Sequence, residues 1–179
     1  MSSRSVIGRT DEETRHRRAE RVGRLALEHG RTIAVAESLT GGMIASALAQ
    51  AGQASEWFRG SLVAYSMDVK HEVLDVPPGP VVSAEAAAAM AGSVRALLLA
   101  DISVAVTGAG GPSAQDGHDP GTVFLAVHDG DREQVSRLAL PGEPLEVLAA
   151  ATVSALDALA DALEQSPPAA EDPSRRGEG

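Results

Sequence analysis

Cysteine is absent from the 179-residue chain, and aromatic side chains are scarce: one tryptophan, one tyrosine and two phenylalanines make up 2% of the residues. The lack of cysteine excludes disulfides and thiol catalysis, which fits a reducing cytoplasm. With so few rings the core must be built from Ala, Val, Leu and Ile, and we expect Trp57 and Phe58 to be core anchors rather than base-stacking residues. The length suits one domain with a sizeable core.

Long apolar runs are also missing. No stretch is long enough to span a bilayer, and the amino terminus lacks the apolar segment of a signal peptide, so we expect a soluble, cytoplasmic protein with no membrane partner. Residues 1–31 carry eight arginines against five acids, whereas residues 32–164 carry five basic against seventeen acidic groups. Such an acidic body argues against nucleic-acid binding, which depends on neutralising phosphates. We interpret the arginine run as the solvated face of a first helix, from about Asp11 to Glu28.

The order of apolar and helix-forming segments predicts the architecture. It reads helix, strand, helix, strand, helix, helix, three strands, helix, which favours an α/β three-layer sandwich: a mixed sheet of about five strands flanked by helices. Residues 10–165 are predicted to form this single domain. Residues 1–9 and 166–179 are predicted to be a disordered arm and a disordered tail, because the terminal segments are polar and the second is rich in Pro, Glu, Gly and Arg.

Lysine is nearly absent as well, since Lys70 is the only one beside fourteen arginines. A lysine amine can lose its proton and act as a base or nucleophile, which a guanidinium cannot. Ser66 is predicted to cap a short helix with Lys70 in its first turn, where the helix dipole would disfavour the ammonium. Tyr65 either orients the amine through its hydroxyl or packs as a rim residue. Survival of one lysine by chance is the alternative.

A tight strand-to-helix turn is predicted at Ser38 to Gly42, between an apolar strand (Thr32 to Ala36) and a helix-forming segment. Such a turn directs a side chain over the carboxyl end of a sheet and leaves amides unpaired at the helix start. Ser38 is therefore a candidate nucleophile beside oxyanion donors. A lysine can serve as the base for such a serine. Alternatively, Ser38 or Thr40 only caps the helix.

A second glycine-rich segment, Thr107 to Pro112, follows a buried strand. It lacks the ending of a phosphate-binding P-loop, and it forms either a backbone nest for an anion or a plain hairpin connection. Asp116, His118 and Asp119 in the next loop are metal-ligand types, but their spacing matches no metal motif, so we predict no metal site and a solvated loop.

Four segments in this order and spacing carry a resemblance: AESLTGG, VAYSMDVK, VTGAGGP and PGTVFLAV, across residues 32–127. They resemble the carboxy-terminal domain of the CinA competence-associated family, which also occurs as stand-alone nicotinamide mononucleotide deamidases. The resemblance implies a serine amidohydrolase that converts the carboxamide of this nucleotide to nicotinate mononucleotide and ammonia. It further implies no metal or other cofactor, a small-molecule nucleotide substrate and a homodimer.

Position by position, the resemblance makes Ser38 the nucleophile, Lys70 its general base and Tyr65 the residue that orients the amine. It assigns substrate binding to two glycine-containing segments. The first supplies the amides of Thr40, Gly41 and Gly42 as oxyanion donors, and the second supplies Thr107, Gly108, Gly110 and Gly111.

The chain also departs from the family. Pro144 and Leu148 stand where relatives commonly carry arginine, which bears on the substrate more than on the reaction class. Two other functions stay open: a non-catalytic nucleotide-binding or regulatory domain that keeps the pocket, and a Schiff-base enzyme in which Lys70 attacks a carbonyl directly.

Overall fold

The computed structural model describes residues 3–166 of the chain, and side chains from residue 12 onward. Helices and strands alternate at first, and three consecutive strands precede the last helix. In chain order the elements are α1 (Ser3–His29), β1 (Ile33–Glu37), α2 (Met43–Ala49), α3 (Ala54–Trp57), β2 (Phe58–Val63), α4 (Met67–Val73), α5 (Ala84–Leu97), β3 (Ile102–Gly108), β4 (Thr122–His128), β5 (Glu133–Ala139) and α6 (Pro144–Gln165).

The five strands form one mixed sheet in the order β2-β1-β3-β4-β5. β1 lies parallel to both β2 and β3, whereas β4 is antiparallel to β3 and to β5. The carboxyl ends of three neighbouring parallel strands, β2, β1 and β3, therefore lie at the same end of the sheet. We call this end the carboxyl edge. The predicted mixed sheet with helices on both faces is confirmed.

Side-chain alternation along β1 divides the core into two layers. Ile33 and Val35 face one layer, where α1, α2 and α6 pack. Ala34 and Ala36 face the other, where α5 packs. Because a strand directs successive side chains to opposite faces, this alternation buries both sides of the sheet.

One short element was not predicted. α3 occupies a single turn before β2 and ends at Trp57, which is 1% exposed and donates from Nε1 to the Gly52 carbonyl at 3.1 Å. A Cβ at Gly23 would lie 2.8 Å from the indole, so glycine makes room for the ring on α1. The prediction that Trp57 is a core anchor is confirmed.

β3 is longer than predicted. It continues through Thr107 and Gly108, which we had assigned to a glycine turn. Gly108 pairs with Val123, and a Cβ at Gly108 would lie 2.6 Å from the Thr122 carbonyl oxygen. Because Gly108 lacks a side chain, the hydrogen-bond ladder between β3 and β4 can continue there. This glycine therefore allows the two strands to approach closely and does not form a turn.

The first helix also differs from prediction. α1 begins at Ser3, so residues 3–9 are described as helix, and it ends before Gly30, whose φ is +61°. Its arginines are not simply solvated: Arg18 pairs with Asp157 at 3.1 Å and Arg21 with Glu164 at 2.8 Å, both on α6. The rest of the predicted arm and tail, residues 1–2 and 167–179, lies outside the described residues.

Within residues 3–166, none of the helices combines the length and the apolar character needed to cross a bilayer.

Candidate active site

The predicted catalytic segments meet at the carboxyl edge of the parallel strands. Glu37, the last residue of β1, is in register with Val63 at the end of β2 and with Val106 near the end of β3. The Ala64 amide donates to the Glu37 carbonyl at 2.7 Å, which fixes the chain just before Tyr65. Ser38 and Tyr65 are therefore the residues that follow two paired strands at one edge, as the parallel topology requires.

A cavity of about 480 Å³ opens at this edge. Five of the predicted site residues line it, from all three parallel strands or the loops that follow them: Ser38, Tyr65, Gly108, Gly110 and Gly111. The other lining residues are Leu39, Pro112, Ser113, Ala114, Gln115, Pro144 and Leu148. The structure thus brings Ser38 and the second glycine segment into one pocket.

Ser38 itself is 8% exposed and borders the cavity. Among the described residues, none forms a hydrogen bond with its hydroxyl. A nearly buried hydroxyl without a protein partner, at the wall of a cavity, is free to react with or bind whatever occupies the cavity.

The turn around Ser38 is organised by Glu37, a residue that the sequence reasoning missed. Glu37 is 0% exposed, and its carboxylate accepts five hydrogen bonds. The donors are Thr40 Oγ1 at 2.7 Å, Gly42 N at 3.0 Å, Ile44 N at 3.1 Å, Ala45 N at 2.9 Å and Ser61 Oγ at 3.3 Å. The carboxylate thereby satisfies the unpaired amides that begin α2.

Two of the three amides that we had predicted as oxyanion donors, those of Gly41 and Gly42, are engaged within the turn. The Gly42 amide and the Thr40 hydroxyl donate to Glu37, and the Gly41 amide donates to the Ser38 carbonyl at 3.1 Å. Gly41 and Gly42 have φ of +57° and +102°, conformations in which glycine is favoured. Their evident task is to shape the turn.

Lys70 is buried close to this turn. It is 2% exposed, and its Nζ donates to the main-chain carbonyl of Tyr65 at 3.2 Å. Burial lowers the pKa of the Lys70 ammonium below its ordinary value, and the carboxylate of Asp116 opposes this shift. Ser66 caps α4 by accepting from Val69 N, as predicted.

The structure adds a cause of the pKa shift that the sequence did not indicate. Lys70 is the fourth of the seven residues of α4, and its Nζ lies beside the Tyr65 carbonyl, which precedes the helix. Desolvation is the principal cause. Tyr65 contacts the amine through its carbonyl oxygen, while the residue as a whole is 74% exposed at the rim.

Ser38 and Lys70 form no hydrogen bond with each other. Lys70 is not among the residues that line the cavity, and no hydrogen bond joins its Nζ to the Ser38 hydroxyl. The amine belongs to α4, the helix that follows β2, and its nitrogen lies beside the main chain at Tyr65. Catalytic hydrogen bonds are often long in unliganded enzymes and shorten when substrate binds.

Asp116 holds the glycine-rich loop in place from a distance in sequence. Its Oδ2 accepts from Val81 N at 2.8 Å and from Val82 N at 2.9 Å, in the segment that precedes α5. Thr107 donates from Oγ1 to the Val81 carbonyl at 2.6 Å and is 1% exposed, so its hydroxyl is engaged away from the cavity. In the described part of the chain no three metal-ligand side chains cluster, and the Asp116 loop is a structural clamp.

Comparison with known proteins gives consistent matches. Residues 15–163 match the model of the CinA C-terminal domain. A CinA-like protein of Frankia casuarinae is 38% identical over 138 residues, which is 74% of this chain and 32% of that protein. The chain thus spans about a third of that relative's length.

Solved structures share the fold. A competence-damaged protein (CinA) superfamily protein from Klebsiella pneumoniae 700603 has a TM-score of 0.81 and 29% identity, and the match covers 85% of this chain and 99% of that one. A superfamily protein from Escherichia coli has a TM-score of 0.79 and 31% identity, over 84% and 90% of the two chains.

Proposed function

The chain belongs to the CinA C-terminal domain family, and we propose that it is a serine amidohydrolase that cleaves the carboxamide of nicotinamide mononucleotide. The observation that carries the proposal is an unpartnered, cavity-lining Ser38 hydroxyl together with a buried lysine on α4, whose amine donates to the main chain of cavity-lining Tyr65. The products would be nicotinate mononucleotide and ammonia, as in pyridine nucleotide salvage.

In the proposed reaction, Ser38 Oγ attacks the carboxamide carbon while its proton passes to Lys70 Nζ. The tetrahedral intermediate collapses when Lys70 returns that proton to the leaving nitrogen, so that ammonia departs and an ester remains on Ser38. Water then hydrolyses the ester with Lys70 again accepting the proton. This cycle needs a neutral amine, and the lowered pKa of Lys70 supports that requirement.

The oxyanion of the intermediate needs donors that are not already used. Because the Gly41 and Gly42 amides are engaged within the turn, we assign this role to cavity-lining amides. The amides of Leu39, Gly110 and Gly111 have no acceptor in the described part of the chain. Free amides on two sides of Ser38 support stabilisation of the developing negative charge.

The carbonyl of Tyr65 is proposed to orient the amine. A carbonyl oxygen 3.2 Å from Nζ accepts a hydrogen bond from either protonation state of the amine, so it holds Lys70 in place throughout the cycle. The base must then shift toward Ser38 when substrate fills the cavity. Thr40 and Thr107 support the site by fixing the Ser38 turn and the second glycine segment.

One observation favours a second candidate, a non-catalytic nucleotide-binding domain that retains the cavity. No hydrogen bond joins Ser38 to Lys70, so the pocket is built but the dyad is not closed. The Schiff-base alternative loses support, because Lys70 is 2% exposed and does not line the cavity, whereas covalent attack requires its nitrogen to reach the carbonyl carbon itself.

The proposal extends to a cytoplasmic homodimer that uses no metal, as the family resemblance implies. Light scattering of the purified chain would test the dimer.

Ammonia release from nicotinamide mononucleotide in the presence of a chelator tests the function itself. The wild-type chain should release ammonia and form nicotinate mononucleotide, and Ser38→Ala should not. Ser136→Ala, on the exposed face of β5, is the matched control and should retain wild-type turnover. Binding without turnover by the wild-type chain would favour the second candidate.

A further inference from the structure

We propose that the cavity beside Ser38 recognises the amide part of its substrate without a charged contact to an anionic group, so that the phosphate of nicotinamide mononucleotide contributes little to its recognition by this chain. The inference rests on the proposed function, because it concerns the substrate of the same site. It predicts that nicotinamide riboside, the same amide without the phosphate, is hydrolysed with comparable efficiency.

The described wall of the cavity is uncharged. None of the described residues that line the cavity carries a charged side chain. Leu39, Pro144 and Leu148 supply an apolar side, and Leu148 lies close to Gly110: a Cβ on that glycine would be 3.3 Å from Leu148 Cδ1. A phosphate with about −1.5 to −2 charge at pH 7 would lose hydration against this wall without gaining a cation.

None of the arginines whose side chains the structure describes lines this cavity. Arg59 lies near the start of β2, and Arg95 donates to the Ala100 carbonyl just before β3, so both are at the sheet edge opposite Ser38. Arg15 lines two neighbouring hollows, between α1 and α2 and between α1 and α6, but not this one. Lys70 must be neutral to act as a base and is therefore unsuitable as the phosphate ligand.

Negative charge near the cavity also disfavours the binding of a phosphate. Asp116, at the loop that borders the cavity, is close enough to influence the Lys70 amine. The unpaired amides of Gly110 and Gly111 offer neutral donors to an anion, but the oxyanion of the intermediate requires them. A dianion in the same cavity would compete for these donors.

The test compares kcat/KM for nicotinamide mononucleotide and nicotinamide riboside in the wild-type chain and in two arginine variants. Leu148→Arg places a cation at the cavity wall. Leu145→Arg is the matched control, because Leu145 is on the same helical turn, 79% exposed, and does not line the cavity. Circular dichroism verifies that both variants are folded.

The proposal expects the wild-type ratio of the two kcat/KM values to lie within about 10-fold, because no charged contact distinguishes the substrates. Leu148→Arg should raise the preference for the mononucleotide by at least about 10-fold, the effect of one charged hydrogen bond, while Leu145→Arg leaves it within about 2-fold. A wild-type preference for the mononucleotide above about 1000-fold would overturn the proposal.

Failure of the proposed function is recognised separately. If neither compound releases ammonia, calorimetry measures the affinities of the same two compounds. These affinities show whether the phosphate contributes to binding. Similar affinities would support a cavity that is indifferent to phosphate, whereas mononucleotide binding that is more than about 1000-fold tighter would overturn the inference.

Discussion

Replacing Glu37 by glutamine should destabilise the protein far more than a surface Glu→Gln change. The side chain is 0% exposed and accepts from five donors, three of them main-chain amides at the start of α2. A carboxylate presents only acceptors, whereas glutamine presents one acceptor oxygen and one NH₂ group. In the variant, the NH₂ group of glutamine must therefore face a group that itself donates a hydrogen bond.

The magnitude follows from the less costly orientation of the glutamine. With its oxygen in place of Oε2, the contacts to Thr40, Gly42 and Ile44 survive, and the NH₂ group faces the Ala45 amide. A buried amide left without an acceptor costs about 1–3 kcal/mol, and three bonds that lose charge assistance cost about 1 kcal/mol each. After local relaxation we expect a loss of about 3–5 kcal/mol, comparable to breaking a buried ion pair.

Urea unfolding monitored by fluorescence measures this loss directly. Trp57, the only tryptophan, is 1% exposed and lies in the core layer next to α2, so its emission reports global unfolding. Glu28→Gln is the control: its exposed pair with Arg24 should contribute less than about 1 kcal/mol. A Glu37→Gln variant within about 1 kcal/mol of wild type would refute the assigned role of this carboxylate.

Four further predictions concern Lys70, Asp116 and Gly108. Lys70→Arg should lower kcat by at least about 100-fold with the fold intact, because a guanidinium cannot act as the base; near wild-type turnover would contradict the role. Lys70→Met should remove a pH dependence of stability: with the pKa of Lys70 lowered, the unfolded chain binds more protons up to about pH 10.4, so wild-type stability gains on the variant as the pH rises, whereas parallel urea midpoints would contradict this. Asp116→Asn should move the acidic limb of the kcat/KM profile to lower pH, since the aspartate raises the pKa of Lys70; an unchanged limb would argue against their coupling. Gly108→Ala should cost about 1–3 kcal/mol in urea unfolding, because its Cβ would lie 2.6 Å from the Thr122 carbonyl oxygen, and an unaffected midpoint would show that the strand pair yields easily.

The fold was largely predictable because its determinants are local. Ser66 and Ser83 cap their helices, and each side chain accepts a hydrogen bond from the amide three residues later in the chain. Gly30 follows the end of α1. Each of these features is predicted by a short sequence pattern. Strands that alternate with helices predict that a turn such as the one at Ser38 lies over the carboxyl end of the sheet.

The contacts that organise the site were less predictable, because they join residues far apart in the chain. Glu37 bonds to Ser61 on the neighbouring strand, and Asp116 reaches back to Val81 and Val82. Glu37 did leave a signal: a charged residue that directly ends a buried apolar strand needs partners. The position of Gly108 within β3 left none, since only the close approach of β4 distinguishes a strand glycine from a turn glycine.

The most direct test of the central claim is identification of the residue that carries the acyl group during turnover. The wild-type chain, mixed with excess nicotinamide mononucleotide and quenched in acid before the first turnover is complete, should show a burst of ammonia and a peptide in which Ser38 carries the nicotinoyl group of the mononucleotide as an ester. The same quench of Ser38→Ala should show neither. An adduct on Lys70, or ammonia release by Ser38→Ala at the wild-type rate, would contradict the account.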